Sequence, residues 1–267
     1  MRFLIVLSAL VAAIASPSLA CGPESDCVIG DRTYRIDLPE NRTETTGALI
    51  YAHGYKGSSK GTMKNKWLRK TAHDLGLAFV AAEAGDVDWL IPNRPRHKHN
   101  DGSREYTYFE ALIDDLAARH GLDSGQIFMT GFSAGGMMTW ELACNRGDLF
   151  RAFIPIAGTF WAPVPRDCPR PPRDLVHIHG TRDKIVPLEG RAIADTRQGK
   201  VMNALALVER LGQFGVHREF NAGDLGCMRQ TNVTGQLLVF CTHPGGHSVK
   251  SSWIRMAVRL IRGEALE

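Results

Sequence analysis

The chain has 267 residues, 44% of them hydrophobic and 22% charged, with a formal net charge of +4. That length supports one α/β unit with a sizeable core. The modest charge, with no nucleic-acid motif and no internal repeat, argues against a nucleic-acid binder or a solenoid.

Residues 1–20 read as a signal peptide: Arg2 opens it, residues 3–14 are apolar, and Ser18-Leu19-Ala20 resembles a cleavage site. The apolar stretch is too short to span a bilayer. The expectation is a secreted or periplasmic protein with no stable membrane insertion and one mature domain, 21–267. Cys21 directly follows the site, but Ser18 stands where a lipidation signal favours leucine, so plain export is the better reading.

In chain order, apolar runs at 48–52, 77–82, 126–130, 152–156 and 175–178 predict strands. Between and after them, 66–75, 105–120, 136–146, 201–214 and 248–262 carry helical periodicity. Alternation of this kind predicts a mostly parallel central sheet with helices on both faces. Catalytic residues then belong on loops at the carboxyl ends of strands. Residues 86–103 form a long polar loop rich in Pro, Arg and His, a length that is functional or mobile in compact domains.

Gly131-Phe132-Ser133-Ala134-Gly135 lies between the strand at 126–130 and the helix at 136–146. Strand, G-x-S-x-G and helix together make a nucleophile elbow, a sharp turn that strains the serine and exposes its hydroxyl. A serine needs a base, and the base needs an orienting carboxylate. In chain order Ser, acid, His, His247 in Gly245-Gly246-His247 is the preferred base and His243 its rival. His177 and His179 alternate on one side of a strand and read as packed, hydrogen-bonded residues near the site. Asp183 follows the strand at 175–178 and is the preferred acid; Asp174 precedes that strand, and Asp195 reads as a surface-helix residue.

Acyl chemistry also needs amide donors for the oxyanion. The N–H of Ala134 is one, and that of Tyr55, in the loop after His53-Gly54, is the natural second. Trp89, Trp161 and Trp253 follow expected strands or motifs and are candidate substrate-binding residues, with burial in the core as the alternative. No metal or organic cofactor is called for.

His53-Gly54, Ala111-Leu112-Ile113-Asp114-Asp115-Leu116, residues 131–136, His177-Ile-His-Gly-Thr-Arg-Asp183 and Gly245-Gly246-His247 together resemble the α/β-hydrolase superfamily. More narrowly they resemble its polyhydroxybutyrate depolymerase and feruloyl esterase group, similar to carbohydrate esterase family 1. The resemblance implies a secreted serine carboxylesterase acting on hydroxyalkanoate oligomers or on phenolic or acetyl esters of plant polysaccharides. An acyltransferase on the same fold, a serine peptidase and a non-catalytic binding protein are the alternatives.

Cys21, Cys27, Cys144, Cys168, Cys227 and Cys241 make an even set, which in an exported chain favours disulfides. Fifteen pairings are possible; chain order suggests Cys21–Cys27, Cys144–Cys168 and Cys227–Cys241. Basic residues cluster at 56–70 and 94–98, as a solvated face or as a site for acidic partners.

Overall fold

The computed structural model describes residues 21–96 and 98–266; the signal-peptide reading lies outside them. A ten-stranded sheet forms the middle layer. Its strands are β1 (Cys27–Ile29), β2 (Arg32–Asp37), β3 (Ala48–Ala52), β4 (Ala78–Ala82), β5 (Ile127–Phe132), β6 (Ala152–Ile156) and β7 (Leu175–Gly180), then β10 (Arg218–Ala222), β11 (Leu225–Thr231) and β12 (Leu237–His243). A separate small hairpin pairs β8 (Ala192–Ile193) with β9 (Thr196–Arg197). The helices are α1 (Ser59–Met63), α2 (Lys66–Asp74), α3 (Ser103–His120), α4 (Ala134–Asn145), α5 (Val201–Gly212) and α6 (Ser251–Ile261).

Across the sheet the order is β1-β2-β4-β3-β5-β6-β7-β12-β11-β10. The central strands from β4 to β12 pair in parallel, and antiparallel strands close both edges. This is the doubly covered α/β architecture that the alternating pattern predicts, an α/β-hydrolase fold. Strand period two sorts the core: Ala48, Ile50 and Ala52 of β3 face the side covered by α3, α4 and α5, while Leu49 and Tyr51 face α1, α2 and α6. Fully buried strands such as β3, β4 and β6 read as unbroken apolar runs for this reason.

The five strands and five helices expected from sequence are all present, with ends shifted by a few residues. The antiparallel edges carry weaker signals. The outermost strand, β10, is Arg-Glu-Phe-Asn-Ala and is mostly exposed, so neither alternation nor an apolar run marks it. Disulfides join Cys21–Cys27, Cys144–Cys168 and Cys227–Cys241, the pairing that chain order suggests. Cys227 and Cys241 sit directly opposite each other on β11 and β12. The sulfur of Cys21 is thereby occupied, leaving no thiol for lipidation. Among the described residues, no helix is long and apolar enough to cross a membrane.

Candidate active site

Ser133 stands between β5 and α4 with φ 60° and ψ −118°, a conformation that costs a non-glycine residue strain. Its surroundings impose that turn. A Cβ on Gly135 would lie 1.9 Å from the Ala52 carbonyl oxygen, and one on Gly131 would lie 2.4 Å from that of Gly135. The Ser133 N–H donates to the Ile156 carbonyl (3.0 Å), locking the elbow to β6.

Asp183 and His247 meet after β7 and β12. His247 Nδ1–H donates to Asp183 Oδ2 at 2.7 Å. The other oxygen of Asp183 accepts the amides of Ile185 (2.8 Å) and Val186 (2.9 Å). Burial works to raise the Asp183 pKa, but the His247 hydrogen bond and these amides prevail and hold it below the usual carboxylate range. The bonding pattern leaves His247 Nε2 free to exchange a proton. The ring of His247 packs 4.5 Å from that of Phe132, the residue just before Ser133.

The rival His243 points elsewhere. Its ring lies 4.4 Å from that of Trp253, and its Nδ1 accepts the Gly245 amide at 3.1 Å. Asp174 lies at the amino end of β7, where it accepts the Leu237 amide (2.7 Å) and pairs with Arg151. Asp195 sits in the β8–β9 turn and not on a helix. His177 and His179 are buried and hydrogen-bonded, as expected. His179 Nε2–H donates to the Val186 carbonyl (2.7 Å), which leaves its Nδ1 to accept from His177 Nε2–H (3.0 Å). Burial pushes the pKa of His179 down and that of His177 well down, so both stay neutral.

The Tyr55 amide lies in the turn after β3, and the Ala134 amide is the first of α4. Neither has a hydrogen-bond acceptor among the described residues. Side chains from elsewhere brace the 53–59 loop. Glu83 accepts both the amide (2.8 Å) and the hydroxyl (2.6 Å) of Ser59 and lies 3.3 Å from His53 Nε2. Trp89 Nε1–H donates to the His53 carbonyl at 2.8 Å, and its ring packs 5.0 Å from that of His53.

This corrects the reading of the tryptophans as substrate-binding residues. Trp89, Trp161 and Trp253 are 0%, 4% and 2% exposed, so none offers a free face for stacking. Trp89 braces the 53–59 loop, Trp161 bridges to Gln198, and Trp253 on α6 donates to Asp224 at 2.8 Å. The large apolar side chains exposed at this edge are Tyr55, Val87 and Ile185, on loops after β3, β4 and β7. Their exposure depends on loop geometry and carries no sequence signal. The long loop after β4 is tied down by an Asp88–Arg94 ion pair and by a Lys98–Asp195 pair to the β8–β9 turn. Because β4 and β7 flank β3, β5 and β6, that second link joins loops from either side of the elbow. The one grouping of metal-ligand residues among those described, Cys21, Cys27 and His120, has both sulfurs in a disulfide and holds no metal thiolate.

The chain is similar to several known proteins. The Phospholipase/Carboxylesterase family profile matches residues 83–209. NocK of Nocardia uniformis subsp. tsuyamanensis, an esterase by name, is 27% identical over 170 residues, which are 61% of this chain and 48% of NocK, so the chain spans about half that relative. An Aspergillus flavus protein, a feruloyl esterase C by name, is 25% identical over 262 residues, 92% of this chain and 89% of its own. Among solved structures, the Bacillus cereus carboxylesterase superposes with a TM-score of 0.55 at 14% identity, covering 87% of this chain and 94% of its own. The acetyl xylan esterase from Aspergillus awamori does so with 0.52 at 14% identity, covering 85% and 91%. Topology, family profile and relatives converge on one fold, that of the α/β-hydrolases, and the chain is similar to ester hydrolases of that fold.

Proposed function

We propose that the protein is a secreted serine carboxylesterase in which Ser133, His247 and Asp183 form the catalytic triad of a single domain, 21–267, that follows a cleaved leader. The observation that carries this reading is the 2.7 Å His247–Asp183 hydrogen bond, with the His247 ring packed on Phe132, the residue just before a strained serine at a strand-to-helix turn. Ser133 Oγ attacks the ester carbonyl while His247 Nε2 takes its proton. Asp183 keeps Nδ1 protonated and stabilises the imidazolium that forms. The amides of Tyr55 and Ala134 receive the oxyanion, each worth about 3 kcal/mol of barrier. His247 then protonates the leaving alcohol, and water, activated by the same histidine, releases the acid from the acyl-enzyme.

Relatives named as feruloyl and acetylxylan esterases support esters of plant polysaccharides as the substrate class. Hydroxyalkanoate oligomers are the second class to test. Three disulfides among the described residues support an oxidising compartment.

The test is hydrolysis of nitrophenyl esters of increasing acyl length, of methyl ferulate and of a soluble hydroxybutyrate oligomer, by the wild type and by Ser133→Ala. Activity that vanishes in the variant supports the triad, and the preferred ester ranks the substrate classes. A folded wild type inert on all of them overturns the hydrolase reading and turns attention to acyl transfer, read by product analysis with excess alcohol.

A further inference from the structure

Residues 56–70 contain Lys56, Lys60, Lys64, Lys66, Arg69 and Lys70 and no acidic residue. They start one residue after Tyr55, run through α1 and enter α2. Arg69 and Lys70 are engaged with Asp37 (2.6 Å) and Asp74 (2.7 Å). Lys60, Lys64 and Lys66 are exposed and have no ion-pair partner among the described residues. Among them stands Trp67, 73% exposed. Tryptophan is normally a largely buried residue, so an exposed indole ringed by unpaired cations calls for an explanation beyond a solvated face.

Local structure fixes this display. The Asn65 side chain caps α2 by accepting the amides of Trp67 (3.1 Å) and Leu68 (3.2 Å), while Leu68, Thr71 and Ala72 turn into the core. Trp67 is thereby held on the outer side of a rigid first turn. That turn holds no acidic residue and opens with Lys66, so its charge opposes the helix dipole. Beside it an open groove of about 850 Å³ runs between α2 and residues 37–41. Of the acids lining it, Asp37 is taken by Arg69 and His73, Asp74 by Lys70 and Arg255, and Glu40 stands on the far wall.

We infer that this surface docks an anionic polysaccharide, with a sugar ring stacked on Trp67 and carboxylates of uronic acid residues paired with Lys60, Lys64 and Lys66. Charge complementarity selects an acidic ligand. A planar, exposed indole backed by a capped helix suits a pyranose face. An anionic bilayer fits less well: Met63, Leu68 and Ala72 belong to the core, so no apolar helix face is free to enter lipid. The basic run starts at the loop after β3, where Lys56 adjoins Tyr55 and lies 5.5 Å over its ring. The inference rests on the ester-hydrolase reading only in supposing that the docked chain carries the ester.

The experiment is affinity electrophoresis of mature Ser133→Ala protein in gels containing polygalacturonate or neutral dextran, with and without a Lys60→Gln/Lys64→Gln/Lys66→Gln background or Trp67→Ala. Polygalacturonate retards the parent and dextran does not. Both variants bind at least about tenfold more weakly, and added salt weakens the parent's binding. With Ser133 restored, both variants hydrolyse nitrophenyl acetate at the wild-type rate, which separates docking from catalysis. Absence of retardation, equal retardation by dextran, or unchanged binding in the variants overturns the inference. So does binding to phosphatidylserine vesicles in place of polygalacturonate.

Discussion

On one side of Ser133, the loops carrying Asp183 and His247 are laced together by their own main chains. Thr181 N–H donates to the His243 carbonyl (2.9 Å), and Arg182 N–H donates to that of Gly245 (3.0 Å). On the other side, the Tyr55 amide lies in a loop steadied by side chains from after β4: Glu83 grips Ser59, and Trp89 holds the His53 carbonyl. The proposed acid–base arm is therefore set by short-range backbone geometry around two neighbouring strands. The proposed oxyanion arm is set by tertiary contacts, so it is open to adjustment by single side-chain changes. α4 joins the two arms, and it contains a buried carboxyl of its own, Glu141.

The sharpest way to break this contrast is in the acid–base arm. His247→Ala lowers kcat by about 10⁴-fold or more, whereas His243→Gln, which alters the ring packed on Trp253, changes it by less than about threefold. Equal losses in nitrophenyl ester assays would mean that the base has been misassigned. Asp183→Asn lowers kcat by about 10⁴-fold, because an amide cannot stabilise the imidazolium or fix the required tautomer. Near-wild-type turnover by that variant would remove Asp183 from the triad.

The oxyanion arm gives a smaller, graded response. Trp89→Phe keeps a ring beside His53 but loses the N–H that holds the His53 carbonyl. Turnover falls about tenfold with KM nearly unchanged. A change confined to KM would instead make Trp89 a substrate contact.

The connecting helix supplies the gentlest test, in stability. Burial raises the Glu141 pKa to about 8, partly opposed by the hydroxyl of Tyr106, which donates to it at 3.2 Å. The unfolded chain releases this proton near the ordinary glutamate value, while the folded chain keeps it. Its contribution is therefore fully present at low pH and lost as pH rises toward about 8. Glu141→Gln removes that loss, so its thermal midpoint relative to wild type rises between pH 5 and 8, by an amount equivalent to a few kcal/mol at most. Parallel midpoint-versus-pH curves would show that Glu141 does not titrate as a buried acid.

The same contrast explains what the sequence reveals. Ser133, Asp183 and His247 lie in short motifs next to strands, where the turn itself demands glycine and the fold orders the residues along the chain. The central strands are legible because burial on both faces makes them continuous apolar runs. Trp89 is not legible: nothing in its neighbourhood says that its indole N–H reaches a carbonyl 36 residues earlier. Burial alone reassigns Trp161 and Trp253. β10 and β11 escape notice because they are short or half-exposed, and their place is set by pairing with β12.

The polar character of β10 has a further consequence. A sheet that ends in a long apolar strand is a template on which another chain can add itself, backbone to backbone. Here the last strand is five residues long, carries Arg218 and Glu219, and is exposed at most of its positions. Edge-to-edge growth at β10 would have to align charges and desolvate them, so this rim of the sheet discourages aggregation when the protein is concentrated.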